Sequence, residues 1–239
     1  MPVFRLSSEI RFPPPRLAEE NGLLAIGGDL SPQRLLRAYS QGIFPWYNAG
    51  EPILWWSPMP RCILLPGDFH LSRSLCKLVR RGEYHVTIDQ SLAAVIRACA
   101  SNGVRKLPET WISAEMIAAY EQLFTLGFCH SVEVWEGEEL VGGLYGVSIG
   151  RCFFGESMFH TRSGTSKVAL YALSRTLFRR QFIMIDMQMP TPHLLSLGGR
   201  FIEREPFELL LQEALGPDEG QRNLFPGEVV TFWDEGAEA

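Results

Sequence analysis

The sequence predicts an α+β fold whose sheet is mixed but mostly antiparallel, and three stretches carry that expectation. Residues 130 to 159 form three strand-like runs separated by Glu136-Gly137-Glu138-Glu139 and by Ile149-Gly150, the pattern of an antiparallel meander. Residues 165 to 180 place leucine and alanine on one side of a helical repeat. The run Ile183-Met184-Ile185-Asp186-Met187-Gln188, bounded by Arg179-Arg180-Gln181 and by Pro190, is short, apolar and β-branched enough to be a further buried strand.

The other elements follow in chain order. Residues 1 to 20 are proline-rich and expected to be irregular, because Pro13-Pro14-Pro15 excludes a helix there. Ser31-Pro32 opens a helix, with Leu35, Leu36 and Tyr39 as its buried stripe until Gly42 stops it. Trp46, Trp55 and Trp56 surround a turn at 48 to 52, where they either cement a small domain to a larger one or offer a ring for a base. Next come a strand at Cys62 to Leu65, a helix over 69 to 81, a strand at His85 to Ile88 and a helix from Ser91 to Ala100. A basic loop ending at Trp111 and a helix from Ser113 to Leu126 lead into the meander. Past residue 188 the pattern gives a strand near Phe201 to Glu203, a helix from Pro206 to Leu215 and a loose acidic tail, Asp234 to Ala239.

With 239 residues, 46% of them hydrophobic, the chain can bury a substantial core as one domain or two. No apolar stretch reaches the roughly 18 residues of a membrane span, and Met1-Pro2-Val3-Phe4-Arg5 lacks a signal core, so a soluble cytoplasmic protein is expected. Five scattered cysteines without a Cys-x-x-Cys pair read as reduced thiols, and five scattered histidines offer no metal spacing. That spacing predicts no metal site, neither the dinucleotide fingerprint nor the Walker loop is present, and no cofactor is expected. The net charge of −5 is uneven: residues 61 to 106 hold eight basic and three acidic side chains (+5), and the remainder 14 basic and 24 acidic (−10). Within the basic segment Arg73, Lys77 and Arg80 share one helix face, either a solvated stripe or a surface for phosphates.

Asp186 and Gln188, two apart on a strand, would share a face about 7 Å apart. A carboxylate and an amide in an apolar strand need hydrogen-bond partners, which loop backbone or a substrate can supply. The order of meander, helix, strand and helix is compatible with the GNAT acyltransferase superfamily and with other α+β folds. Arg162-Ser163-Gly164-Thr165-Ser166 is one residue short of the coenzyme A loop of that superfamily, so no coenzyme A donor is expected.

Six blocks in order make a more specific pattern: residues 21 to 30 (Asn21-Gly22 through Gly27-Gly28-Asp29-Leu30), Gly42-Ile43-Phe44-Pro45-Trp46, Leu54-Trp55-Trp56-Ser57-Pro58, Gly155-Glu156-Ser157-Met158-Phe159, Asp186-Met187-Gln188 and Ser196-Leu197-Gly198. Together they resemble the bacterial leucyl/phenylalanyl-tRNA–protein transferase family across nearly the whole chain. The resemblance implies a small N-terminal domain, about residues 1 to 60, and a GNAT-like catalytic domain, 61 to 239. It implies transfer of leucine or phenylalanine, with methionine a further candidate, from aminoacyl-tRNA to the α-amine of proteins beginning with Arg or Lys, which marks them for degradation. A monomer is expected, with no membrane partner. Two other classes stay open: a tRNA-dependent ligase acting on a cell-wall precursor, and a tRNA-binding protein without activity.

The donor in such a reaction is an activated ester, so aminolysis needs mainly a positioned, uncharged amine. An α-amine with a pKa near 8 is mostly protonated at pH 7 and must lose a proton. By resemblance Gln188 contacts the amine and Asp186 orients or polarises Gln188; a relay through the adenosine 2′-hydroxyl, with both residues only positioning, is an equal alternative. No cysteine lies in the matching blocks, so a covalent thioester is not expected. The resemblance also places Trp46 and Trp111 around the terminal adenosine, and the aminoacyl side chain in a pocket of Leu144, Phe153, Met158, Leu170, Leu173, Leu177 and Ile185. The family pattern has aromatics at 173 and 177, where this chain has leucine, so the preference between Leu and Phe stays open. Glu156 would face the basic first residue of the acceptor, and Arg73, Lys77 and Arg80 would lie along the acceptor stem.

Overall fold

Two sheets share one continuous apolar layer in the computed structural model, which describes residues 3–101, 111–216 and 229–230. The first sheet has β1 (Phe4–Leu6), β2 (Leu23–Gly27), β3 (Phe44–Pro45) and β4 (Leu54–Trp56) in the order β1-β2-β4-β3. β1 is parallel to β2 and the other pairs are antiparallel. Helix α1 (Pro32–Tyr39) links β2 to β3, with Pro32 in its first turn, where the missing N–H has no intrahelical partner to lose. The proline-rich start is more ordered than expected, since it contributes β1 and a 3₁₀ turn at Pro15–Leu17. Pro15 stands at the first position of that turn, where proline is tolerated. Arg34 explains the order: its buried guanidinium donates to the carbonyls of Ser7 and Glu9 and to the Asp29 carboxylate. Irregular backbone carbonyls thereby gain the donors a sheet would have given them.

The larger sheet is α+β in character and mixed, as predicted. In chain order its elements are β5 (Arg61–Leu64), α2 (Arg73–Arg80), β6 (His85–Ile88), α3 (Leu92–Ala100), α4 (Ala114–Thr125), β7 (Cys129–Glu136), β8 (Glu139–Ile149) and β9 (Cys152–His160). There follow α5 (Thr165–Arg179), β10 (Met184–Asp186), α6 (Pro192–Ser196), β11 (Arg200–Ile202), α7 (Arg204–Leu215) and β12 (Val229–Val230). The strand order is β11-β5-β10-β9-β8-β7-β6-β12, and among these neighbours only β9 and β10 run parallel. Helices α3 and α4 cover one face, where their core merges with that of the small sheet; α5 and α2 cover the other.

Three expectations need correction here. Helix α2 starts at Arg73, not 69, because the Ser72 hydroxyl accepts the Leu75 N–H at 3.2 Å and fixes the N-terminus there. Helix α6 was not expected at all; Thr191 caps it and Pro192 opens it. The strand over 183 to 188 ends at Asp186. Gln188 has a left-handed backbone (φ +60°), and its N–H donates to Asp186 Oδ1 at 2.8 Å, so the aspartate side chain caps a turn that leaves the strand. Asp186 and Gln188 are therefore neighbours through a turn and not through strand alternation. Most of the basic loop before Trp111 and the acidic tail lie outside the described residues.

The position of the site follows from two irregularities. β10 pairs with β9 from Met184 opposite Cys152 to Asp186 opposite Phe154 and then stops, while β9 runs on to His160. Just past that point Tyr145 of β8 faces Ser157 and Gly146 faces Gly155, which leaves Glu156 as the extra residue of a β-bulge. The sheet therefore opens beside Glu156.

Candidate active site

Asp186 ends β10 fully buried, and β5 supplies its counterion. Arg61 Nε lies 2.9 and 3.1 Å from the two carboxylate oxygens and its second nitrogen 2.8 Å from Oδ2. The guanidinium is itself buried between the rings of Phe44 and Phe207, 4.9 and 5.0 Å from their centroids. A charge taken out of water survives only with such close, bidentate pairing. Oδ1 also holds the Gln188 N–H, so the hydrogen bonds to Asp186 are used on Arg61 and on the turn. Its chemistry here is to fix Gln188.

Glu156 is the second carboxylate. The Tyr39 hydroxyl at the end of α1 lies 2.8 Å from Oε1 and the Tyr120 hydroxyl on α4 lies 2.7 Å from Oε2, both hydrogen-bond lengths. Gln188 Nε2 donates to Oε1 at 3.0 Å, and the two phenolic oxygens are 2.6 Å apart. Burial pushes the Glu156 carboxyl up to about 7 and the Asp186 charge adds to that, while the hydrogen bonds shared with Tyr120, Tyr39 and Gln188 oppose it. Because the Gln188 nitrogen is committed to an acceptor, its carbonyl oxygen faces away from Glu156 and can accept a hydrogen bond from a substrate.

A cavity of about 280 Å³ occupies the opening, walled by Leu144, Phe153, Met158, Leu170, Leu173 and Ile185, with Tyr145, Glu156 and Gln188 at its polar side. That is near the low end of ligand sites and suits one apolar side chain. The profile of the Leucyl/phenylalanyl-tRNA protein transferase family matches residues 63–212, and the profile of the N-terminal domain of that transferase matches residues 28–59. The chain belongs to the leucyl/phenylalanyl-tRNA–protein transferase family. A leucyl/phenylalanyl-tRNA–protein transferase of Syntrophotalea carbinolica is 55% identical over 214 residues, covering 90% of this chain and 93% of that one. Another, from Syntrophus aciditrophicus, is 54% identical over 215 residues, covering 90% of each chain. These matches favour the transferase over the cell-wall-precursor ligase. Among solved structures a GCN5-related N-acetyltransferase from Kribbella flavida aligns at a TM-score of 0.37 and 11% identity over 71% of this chain and 60% of that chain, too slight a likeness to argue from.

Of the residues expected to serve a transferase of this family, Asp186, Gln188 and Glu156 come together, and six of the seven apolar residues line one cavity. Leu177 does not. It lies one turn past Leu173 on α5, fully buried in the core beneath the cavity. Trp55 is fully buried and donates to the Gly27 carbonyl, whereas Trp46 is 39% exposed. Trp56 holds the loop of Trp46 by donating to its carbonyl at 2.6 Å. Trp111 is half-buried against the core of the α3 and α4 face. Arg73, Lys77 and Arg80 are exposed along α2, but Arg61 is buried and leaves the basic surface, and Arg105 and Lys106 lie outside the described residues.

The sequence reading missed four side chains that build this site. Tyr39 read as helix packing and Tyr120 carried no signal, because a tyrosine on an apolar stripe looks the same with or without a polar partner. Arg61 was one basic residue among eight. Tyr145 lines the cavity with its hydroxyl buried and unbonded among the described residues. Burial pushes the thiol of Cys62 up to about 11 and that of Cys99 up to about 12, and holds those of Cys129 and Cys152 well above their ordinary range. None of these four is a thiolate nucleophile near neutrality.

Proposed function

We propose that the protein moves leucine or phenylalanine, with methionine a further candidate, from the 3′ end of tRNA to the α-amine of proteins beginning with Arg or Lys. The observation that carries this reading is the apolar cavity with the Gln188 amide and the Glu156 carboxyl at one end, in a member of the leucyl/phenylalanyl-tRNA–protein transferase family. The aminoacyl side chain enters the cavity, which brings its ester carbonyl to the polar end. The amine nitrogen attacks that carbon, a C–N bond forms, the bond to the ribose oxygen breaks, and one amine proton ends on the leaving oxygen. Gln188 orients the amine by accepting one of its hydrogens; a neutral amide is too weak a base to keep the proton. Asp186 and Arg61 hold the turn that carries Gln188.

The stripe of Arg73, Lys77 and Arg80 meets the acceptor-stem phosphates, and Trp46 and Trp111 flank the terminal adenosine. Residues 1 to 60 act as a small N-terminal domain and 61 to 239 as a GNAT-like catalytic domain. The protein works as a cytoplasmic monomer without a cofactor. Transfer of radiolabelled leucine from leucyl-tRNA to a protein beginning with Arg tests the reading. Wild type should transfer, and Asp186→Ala and Gln188→Ala should each lose about 100-fold, the cost of an amine misplaced by about an ångström. A wild type that binds leucyl-tRNA and labels no such protein would sink it.

A further inference from the structure

Three oxygens beside the cavity pose a proton-counting problem. Tyr39 and Tyr120 contact the two oxygens of Glu156 at 2.8 and 2.7 Å, and their own oxygens are 2.6 Å apart. All three separations are hydrogen-bond lengths, and an O···O contact that short is held by a proton between the atoms. Two phenols own two protons. If both point at an ionised Glu156, the 2.6 Å contact between the tyrosines sets lone pair against lone pair. A third proton closes the ring: Tyr39 donates to Glu156 Oε1, Tyr120 donates to Tyr39, and Glu156 Oε2 donates to Tyr120. Gln188 Nε2 still finds Oε1 as its acceptor. All donors are then used, and a closed ring of this kind strengthens each bond in it.

We propose that Glu156 rests as a neutral carboxylic acid closing this ring, and that the site sheds the proton to solvent when a cationic amino terminus docks beside Gln188. The balance is one carboxylic acid giving one carboxylate and one solvent proton, with the arriving cation replacing the charge that left. This deepens the proposed function and rests on it for the identity of the ligand, an α-ammonium with a basic first side chain. Its consequence is an order of energies. A neutral Glu156 puts no buried negative charge beside the anionic 3′ end of tRNA, so the donor enters unopposed, and the carboxylate is created only when a cation is there to meet it.

Other groups do not blur the assignment. The titratable side chains facing Glu156 are Tyr39 on α1, Tyr120 on α4, Tyr145 on β8, Cys129 on β7 and Asp186 on β10. Burial holds the three phenols and the thiol well above their ordinary values, and Asp186 is committed to Arg61. The ordinary range of Glu156 itself is moved by burial up to about 7, which places its titration where peptide binding can be measured on both sides.

Infrared difference spectra of the free protein, wild type minus Glu156→Gln, read the proton directly. A protonated-carboxyl band at about pH 6 should disappear with a midpoint near 7. Calorimetry with a peptide beginning with Arg, at about pH 6 in two buffers of different ionisation heat, should then count close to one proton released per peptide by wild type and none by the variant. Peptide affinity should fall about tenfold per pH unit below 7 in wild type and stay flat in Glu156→Gln. Absence of the band overturns the ring, and equal proton counts in the two proteins overturn the linkage. A peptide that does not bind overturns the docking half. If the variant fails to fold, the wild-type proton count decides alone. The band is read without tRNA or acceptor, so its outcome is separate from whether leucine is transferred.

Discussion

A fully buried carboxylate, Asp186, and a half-buried one, Glu156, meet here with different kinds of partner, a guanidinium for Asp186 and hydroxyls for Glu156. Removing the guanidinium strands a charge, so Arg61→Met should cost about 3 to 5 kcal/mol in urea unfolding. Arg61→Met with Asp186→Leu should recover most of that stability, because well-packed apolar residues can replace a buried pair. Transfer should stay about 100-fold down, as in Asp186→Ala, since the cap on the Gln188 turn is gone. For Glu156 the folded carboxyl is raised from 4.5 to about 7, so its contribution is fully present below 4.5 and is lost as pH rises through 7. Glu156→Gln lacks that loss, and its stability relative to wild type should rise by roughly 3 kcal/mol across that window in parallel denaturation series. The sequence made Asp186 visible as a charge inside an apolar run. It could not show Tyr39 and Tyr120 as partners of Glu156, because the bulge that turns Glu156 toward them is a property of register between two strands.

At the level of elements, the meander and α5 were legible because their periodicities extend over many residues. The length of β10 was not, since Met187 continues the apolar pattern after the backbone has left the strand, and α6 is only five residues long. The bulge has its own sequence determinant. A Cβ at Gly146 would meet the Phe154 carbonyl and the Phe153 ring, so Gly146→Ala should disturb the bulge, lower stability by about 1 to 3 kcal/mol and cut transfer more than it cuts tRNA binding. Exposed side chains on α2 make a separable prediction. Arg73→Ala with Lys77→Ala should weaken tRNA binding and reduce the slope of log affinity against log salt by roughly 2, at about 0.9 for each phosphate no longer neutralised. Unchanged salt dependence would remove the stripe from the tRNA surface.

Across the whole molecule, the opening beside Glu156 depends on both sheets. The small sheet delivers Tyr39 through α1 and packs Phe44 on Arg61, while the large sheet supplies Glu156, Asp186 and the cavity. The α+β class and the succession of elements were readable from the chain, whereas this convergence arises from the two sheets sharing one apolar layer. The central claim is that the aminoacyl side chain occupies the cavity where β9 and β10 part. Met158, half-buried in its wall, is a flexible residue that tolerates replacement. The most direct measurement is the ratio of kcat/KM for phenylalanyl-tRNA to that for leucyl-tRNA in Met158→Ala, wild type and Met158→Trp, with one acceptor throughout. The ratio should rise in the enlarged cavity and fall in the filled one, by about tenfold or more between the extremes. A ratio that stays the same in both folded variants would place the side chain somewhere else.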